Sequence, residues 1–232
     1  MHILLTRPLE DCSNLIHRFK ELGHTVSHLP VIKIKKVNYH EIIFKDYSAI
    51  IFTSSNSIKY LNLDSVNKTI KCFCVGSSTE KVARSLGFQN VISSNGTVRA
   101  LKELILQSHD QKEGRLLYVS GQTISFDLDN ELSNEGYEIT RVINYSVDYN
   151  DDINSDIIKQ LKKSIPDIVF IYSENSAKSF LNIIKKYHLI DSWMNSNLMC
   201  IGDKTSSVLN EVKWKKIFLF NPGEEEFLLY KV

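Results

Sequence analysis

The chain has 232 residues, of which 43 % are hydrophobic and 24 % charged, and its formal net charge is +1. That length fits one large domain or two modest ones, and the composition suits a globular protein with a proper buried core. Near-zero net charge offers no bulk attraction to nucleic acid or to an anionic membrane, so neither is expected as a partner.

The opening run Met1-His2-Ile3-Leu4-Leu5-Thr6-Arg7-Pro8 is a short strand with a polar end. It is not a charged leader followed by a long apolar stretch. No apolar run approaches the roughly 20 residues a membrane-crossing helix needs, and the expected location is the cytoplasm. From there, strands are predicted at Ile3–Thr6, Thr25–Ile34, Ala49–Thr53, Lys71–Val75, Asn90–Ser93, Leu116–Ser120, Glu138–Val147, Ile168–Tyr172, Leu198–Ile201 and Lys216–Phe220. Most are short apolar runs with little alternation, as in parallel strands covered on both faces. Helical patterns lie between them, at Glu10–Leu22, Glu80–Leu86, Ala100–Gln107, Asp127–Asn134, Asp156–Lys163 and Ala177–Tyr187. Gly23, Gly87 and Gly136 follow three of these, where a left-handed cap favours glycine. Such alternation predicts a doubly wound α/β architecture.

The chain also repeats itself. His2-Ile3-Leu4-Leu5-Thr6 through Gly23-His24-Thr25-Val26 matches Arg115-Leu116-Leu117-Tyr118-Val119 through Gly136-Tyr137-Glu138-Ile139 at one constant offset. Ala49 through Asn56 matches Ile168 through Asn175, and Cys74-Val75-Gly76 with Thr79 matches Cys200-Ile201-Gly202 with Thr205. Three matched blocks in order read as a duplicated five-strand unit.

Open parallel sheets bind ligands beyond the carboxyl ends of their strands. There the sequence places Thr6-Arg7, Thr53-Ser54-Ser55-Asn56, Gly76-Ser77-Ser78-Thr79, Ser93-Ser94-Asn95-Gly96, Ser120-Gly121, Ser173-Glu174-Asn175-Ser176, Gly202-Asp203-Lys204-Thr205 and Asn221-Pro222-Gly223. Hydroxyls and amides at helix starts are ordinary N-caps. A whole row of them on one sheet edge also suits a receptor for anions, held by exposed amides and helix dipoles. Both readings stand at this point. Glycine-loop signatures for dinucleotides and for P-loop phosphate binding are missing, as is a Gly-x-Ser-x-Gly elbow. Thr53 to Ser57 resembles a flavodoxin phosphate loop without its glycine, so flavin is not favoured and no cofactor is expected. Cys12, Cys72, Cys74 and Cys200 form no Cys-x-x-Cys pair, and no histidines stand at metal spacing. The cysteines read as small buried hydrophobes.

These residues resemble the uroporphyrinogen-III synthase family over nearly the whole chain. The marks are Leu5-Thr6-Arg7-Pro8, Leu22-Gly23 before Leu29-Pro30-Val31-Ile32, Ile51 to Asn56, Val75-Gly76 with Thr79, and Leu86-Gly87. They continue with Gly136-Tyr137 before Val142-Ile143-Asn144-Tyr145, Tyr172-Ser173 with Ser176 and Phe180, and Cys200-Ile201-Gly202 with Thr205. The order and spacing of the set carry the resemblance.

The resemblance implies two similar flavodoxin-like lobes with parallel sheets flanked by helices, joined by a two-stranded connection. Residues 1–33 with 147–232 would form lobe one and 34–146 lobe two, with crossings along Val31–Lys35 and Tyr145–Asp148. It implies a cyclising hydro-lyase that converts hydroxymethylbilane to uroporphyrinogen III with inversion of the last pyrrole ring. The protein would be monomeric and cytoplasmic, act in tetrapyrrole and haem biosynthesis, and receive substrate by transient hand-over from the preceding enzyme. Tyr145 matches the family's tyrosine near the return crossing and is the candidate catalytic residue, hydrogen-bonding the departing hydroxyl. Candidate substrate contacts are Thr6, Arg7, Thr53, Ser54, Ser55, Asn56, Ser78, Thr79, Ser120, Gly121, Ser173, Ser176 and Thr205. Thr79 and Thr205 match the family's paired threonines, expected to face each other across a cleft. Glu174 and Asp203 stand where the family more often has uncharged residues, and Gln122 to Phe126 lacks an arginine that the family often carries. The alternative from another class is a non-catalytic, two-lobed cytosolic binding protein for an anionic metabolite.

Overall fold

The computed structural model describes residues 1–150, 153–221 and 223–231. The chain opens with β1 (His2–Leu5), α1 (Leu9–Glu21) and β2 (Thr25–His28). Next come β3 (Ile32–Lys36), β4 (Ala49–Phe52), α2 (Ser55–Lys59), β5 (Lys71–Val75), α3 (Gly76–Ser85), β6 (Val91–Ser94) and α4 (Val98–Ser108). They lead into β7 (Leu116–Gly121), α5 (Leu128–Asn134) and β8 (Ile139–Tyr149). The remainder is α6 (Ser155–Lys163), β9 (Ile168–Ile171), α7 (Glu174–Lys186), β10 (Asn197–Cys200), α8 (Gly202–Val208), β11 (Lys216–Leu219) and α9 (Glu225–Leu228).

Two compact units result, Met1–Lys33 with Asp148–Val232 and Ile34–Val147. One sheet has the order β11-β10-β9-β1-β2 with every neighbouring pair parallel. The other has the order β3-β8-β7-β4-β5-β6 and is parallel from β8 to β6. Laid side by side, β2-β1-β9-β10-β11 and β8-β7-β4-β5-β6 occupy the same places in their sheets. The repeated sequence blocks fall on matching strands: β1 with β7, β9 with β4, β10 with β5. In the second unit the equivalent strands follow a permuted chain order, because β7 and β8 come last.

The predicted single strand at 25–34 is instead two strands in two sheets. Proline has no N–H to give a ladder, and Pro30 sits at the break. The chain still runs on beside β1, as Leu29 N–H donates to Leu5 C=O at 2.9 Å and Val31 N–H to Thr6 C=O at 3.1 Å. Beyond it, β3 pairs with β8: Val37 N–H donates to Asn144 C=O and Asn150 N–H to Val31 C=O. The numbering runs in opposite senses, so this outer pair is antiparallel.

Each sheet is apolar on both faces, which explains the unalternated runs. In the first unit Leu4, Val169, Leu198 and Cys200 point to one core, and Ile3, Leu5, Phe170 and Met199 to the other. The second unit likewise divides Ile50, Phe52, Cys72 and Cys74 from Ala49, Ile51 and Phe73. All four cysteines are free and buried, as their composition suggests. Gly23, Gly87 and Gly136 do adopt positive φ, at 80°, 92° and 90°.

Candidate active site

In the second unit, β4 ends where α2 begins. Extended backbone at Ser54 lets its hydroxyl accept the Asn56 N–H at 3.2 Å, so Ser54 caps α2 and holds Ser55 and Asn56 in its first turn. Thr53 turns its hydroxyl to the Tyr118 phenol, 3.2 Å away. Thr53, Ser54 and Tyr118, with Gly121 and Tyr145, line a cavity of about 140 Å³ that Thr123, Ser125 and Phe126 help close. Of the residues singled out in the sequence, Thr53, Ser54, Gly121 and Tyr145 meet at this cavity, and Tyr118, Thr123 and Ser125 join them there. Tyr118 sits in an apolar strand and reads as core, and no spacing marks the Gln122–Phe126 loop as cavity wall. The volume suits a carboxylate-bearing side chain or a few waters rather than a whole drug-sized ligand.

Tyr145 reaches this cavity through an irregularity of β8. The pairing with β7 runs Val119↔Val142 and Ser120↔Ile143, then skips to Gly121↔Tyr145. One residue, Asn144, is left over as a bulge. The Tyr145 ring lies so close over Gly121 that a Cβ there would come within 2.7 Å of its Cζ. The Tyr60 ring lies 6.4 Å from it, centroid to centroid. Burial pushes the Tyr145 phenol above its ordinary value, with the Ser54 hydroxyl pulling weakly the other way. The phenol is therefore neutral and a hydrogen-bond donor at neutral pH. Ser120 is fully buried beneath this surface. Its hydroxyl meets the Gly121 C=O at 3.1 Å and accepts from Arg141 Nε at 2.8 Å.

The matching edge of the first unit is built the same way. Ser173 caps α7 by accepting the Ser176 N–H at 3.1 Å, and the two hydroxyls are 2.9 Å apart. Thr6, fully buried, donates its hydroxyl to Phe170 C=O at 2.6 Å and so ties β1 to β9. Arg7 lays its guanidinium carbon 3.9 Å from the centroid of the Tyr172 ring. Tyr172 stands where the other unit has Thr53, and its buried hydroxyl has no hydrogen-bond partner among the described residues. Burial, seconded by the charge of Glu225, pushes that phenol far up.

Two helix starts differ from these capped ones. α3 and α8 begin at Gly76 and Gly202, with φ of 73° and 74°, and neither has a side-chain cap. Their first-turn amides are left to other acceptors. Thr79 and Thr205 sit in these turns, 5 % and 3 % exposed, while Ser78 is open to solvent. Side-chain capping thus accounts for Ser54 and Ser173 but not for the two glycine-led turns. Glu174 is exposed and pairs with Lys178 at 2.5 Å, which holds its carboxyl below the usual range. Among the described residues no group of acidic, histidine or cysteine side chains is arranged to hold a metal, and no helix is long and apolar enough to cross a membrane.

The model of the family described as uroporphyrinogen-III synthase HemD matches residues 13–219. A chloroplastic uroporphyrinogen-III synthase from Oryza sativa subsp. japonica is 25 % identical over 163 residues, covering 66 % of this chain and 50 % of the relative. The porphyrin biosynthesis protein HemD of Ruminiclostridium josui is 22 % identical over 218 residues, covering 88 % of this chain and 42 % of the relative. The chain therefore spans about half the length of these relatives or less. Among solved structures, the Helicobacter pylori uroporphyrinogen-III synthetase superposes with a TM-score of 0.65 at 18 % identity, covering 100 % of this chain and 99 % of that one. A mutant Thermus thermophilus uroporphyrinogen III synthase gives 0.58 at 14 % identity, covering 100 % and 97 %. At such identities these two likenesses establish the fold.

Proposed function

The chain belongs to the uroporphyrinogen-III synthase family, and from that membership we propose that it closes hydroxymethylbilane to uroporphyrinogen III, with loss of water and inversion of the last ring. The observation that carries the proposal is the hydroxyl-lined cavity under Tyr145, whose neutral phenol stands as donor beside Thr53 and Ser54. The substrate bears many carboxylates. Uncapped amides at the starts of α3 and α8, with Thr79 and Thr205 in the same turns, offer donors to anions without a basic patch. Arg7, held against Tyr172, adds one full positive charge.

In this reading the two units are the two lobes, and the strand ends of each carry candidate substrate contacts: Thr53, Ser54, Ser55, Asn56, Ser78, Thr79 and Gly121 in one, Arg7, Ser173, Ser176 and Thr205 in the other. Thr6 and Ser120 serve from beneath, since their hydroxyls are committed within the sheets. Tyr145 donates to the departing hydroxyl, and general-acid help of that kind is worth about 10² to 10⁴ in rate. The protein works as a cytoplasmic monomer that takes its substrate from the preceding enzyme.

Freshly generated hydroxymethylbilane, incubated with the purified chain and oxidised, gives type I and type III isomers that separate chromatographically. A large excess of type III over an enzyme-free control is the expected outcome. Type I alone, at the uncatalysed rate, would overturn the proposal.

A further inference from the structure

The proposed chemistry depends on where one phenol points, and β8 would not aim it there by default. Side chains alternate along a strand, and residues paired across a parallel ladder share a face. Val142, opposite Val119, belongs to the core face beneath α2. Arg141, opposite Tyr118, belongs to the other. Strict alternation would put Tyr145 on the Arg141 side. The leftover residue at Asn144 shifts the count by one and turns Tyr145 over Gly121, onto the face that carries Tyr60. Bulges that re-aim a side chain in this way are a known device next to sites.

The bulge is secured from two sides. Asn144 is fully buried, and its amide donates to Ser57 C=O in α2 at 2.7 Å, while its carboxamide oxygen has no hydrogen-bond partner among the described residues. A buried amide with one end unpaired is costly, so packing alone does not select it. On the opposite strand, Arg141 holds three successive residues: Nε to Ser120 Oγ at 2.8 Å, and one terminal nitrogen to the carbonyls of Gly121 at 2.9 Å and Gln122 at 3.2 Å. The Gln122 N–H then donates to Tyr145 C=O at 2.9 Å, which closes the loop onto the bulged strand.

We propose that Asn144 is a positioning residue that acts through Tyr145: it holds the one-residue bulge that aims the phenol, with Arg141 fixing the opposing turn. This rests on the reading of Tyr145 as the residue that assists departure of the hydroxyl. The test is a double-mutant cycle read as kcat, KM and the type III fraction of product. Asn144→Ala lowers kcat about tenfold or more, leaves KM within about twofold, and raises the type I share. A misplacement of about 1 Å is enough for losses of that order. Combined with Tyr145→Phe, it costs no more than Tyr145→Phe alone, because residues acting as a unit are non-additive. Additive losses, or a rise in KM alone, would overturn the inference. Should Asn144→Ala fail to fold, Arg141→Lys is read in the same cycle, since it keeps the charge but loses the fork that spans Ser120 to Gln122. Wild type without type III product sinks the functional reading. An active wild type with additive variants sinks this one alone.

Discussion

Gly121 is the residue where steric and chemical demands meet. Its φ is unexceptional, so the need for glycine comes from space: an added methyl would lie 2.7 to 2.9 Å from two ring carbons and the phenol oxygen of Tyr145. Gly121→Ala should therefore cost about 1 to 3 kcal/mol of stability through overpacking. It should also lower type III formation by about 10- to 10²-fold, because the ring must move. A urea titration and the isomer assay read the two effects separately, and an unchanged pair of values would show that the ring has room to yield. Tyr172 presents the reverse case. Its ring supports Arg7, whereas its buried hydroxyl has no partner among the described residues. Tyr172→Phe keeps the first feature and removes the second, so it should leave stability unchanged or raise it by about 1 kcal/mol. A drop in urea midpoint would show that the hydroxyl has an acceptor.

At the scale of elements, the end of α4 is tied to the sheet by a buried histidine. His109 Nε2 lies 3.1 Å from Ser48 Oγ, and Nδ1 lies 3.3 Å from Lys71 Nζ and 3.4 Å from Glu113 Oε2. Tyr137 stacks on the ring, Phe73 meets it edge-on, and the His109 C=O accepts the Tyr137 hydroxyl at 2.6 Å. Burial lowers the imidazole pKa, Lys71 acts the same way, and Glu113 opposes them. A group depressed on folding binds its proton more readily in the unfolded chain. Stability is then full above the unfolded value near 6.5 and falls as pH drops through the depressed one, by at most about 1.4 kcal/mol per unit. His109→Gln should remove one proton's share of that slope below the unfolded value of about pH 6.5, leaving what His2 and His24, also lowered by burial, contribute. An unaltered slope would mean that His109 does not titrate with unfolding. This clasp was not legible in the sequence, because Ser48 and Lys71 lie in segments far from the His109–Glu113 stretch and nothing in their spacing joins them to it. The strands were legible, since burial on both faces writes itself as apolar runs. The bulge at Asn144 was not: Val142-Ile143-Asn144-Tyr145 reads as uninterrupted strand, and the extra residue exists only relative to β7. Likewise the strand ends revealed which hydroxyls gather at a sheet edge. They could not reveal that Thr6 and Ser120 spend theirs within the sheet.

For the whole molecule, the duplication makes a thermodynamic prediction that the cores allow to be tested cleanly. Each core cluster draws its residues from one unit alone, with Phe52 in the second unit and Phe180 in the first. Chains with more than one core need not unfold in a single step. The protein carries its own reporter, because its two tryptophans, Trp193 and Trp214, both lie in the first unit. Their ring centroids are 5.8 Å apart, and Phe180 packs on them at 5.3 and 6.4 Å. Tryptophan emission thus follows the first unit, while far-ultraviolet circular dichroism follows both. Phe52, fully buried and edge-on to Phe88 at 5.9 Å, anchors the second unit. Phe52→Ala should destabilise that unit by about 3 to 5 kcal/mol, shift part of the dichroism transition to lower urea, and leave the emission midpoint in place. Phe180→Ala should do the converse, moving the emission midpoint with its share of the dichroism change. If either substitution displaced both signals together, the units would unfold as one cooperative body, and the repeat would be a feature of ancestry without consequence for stability.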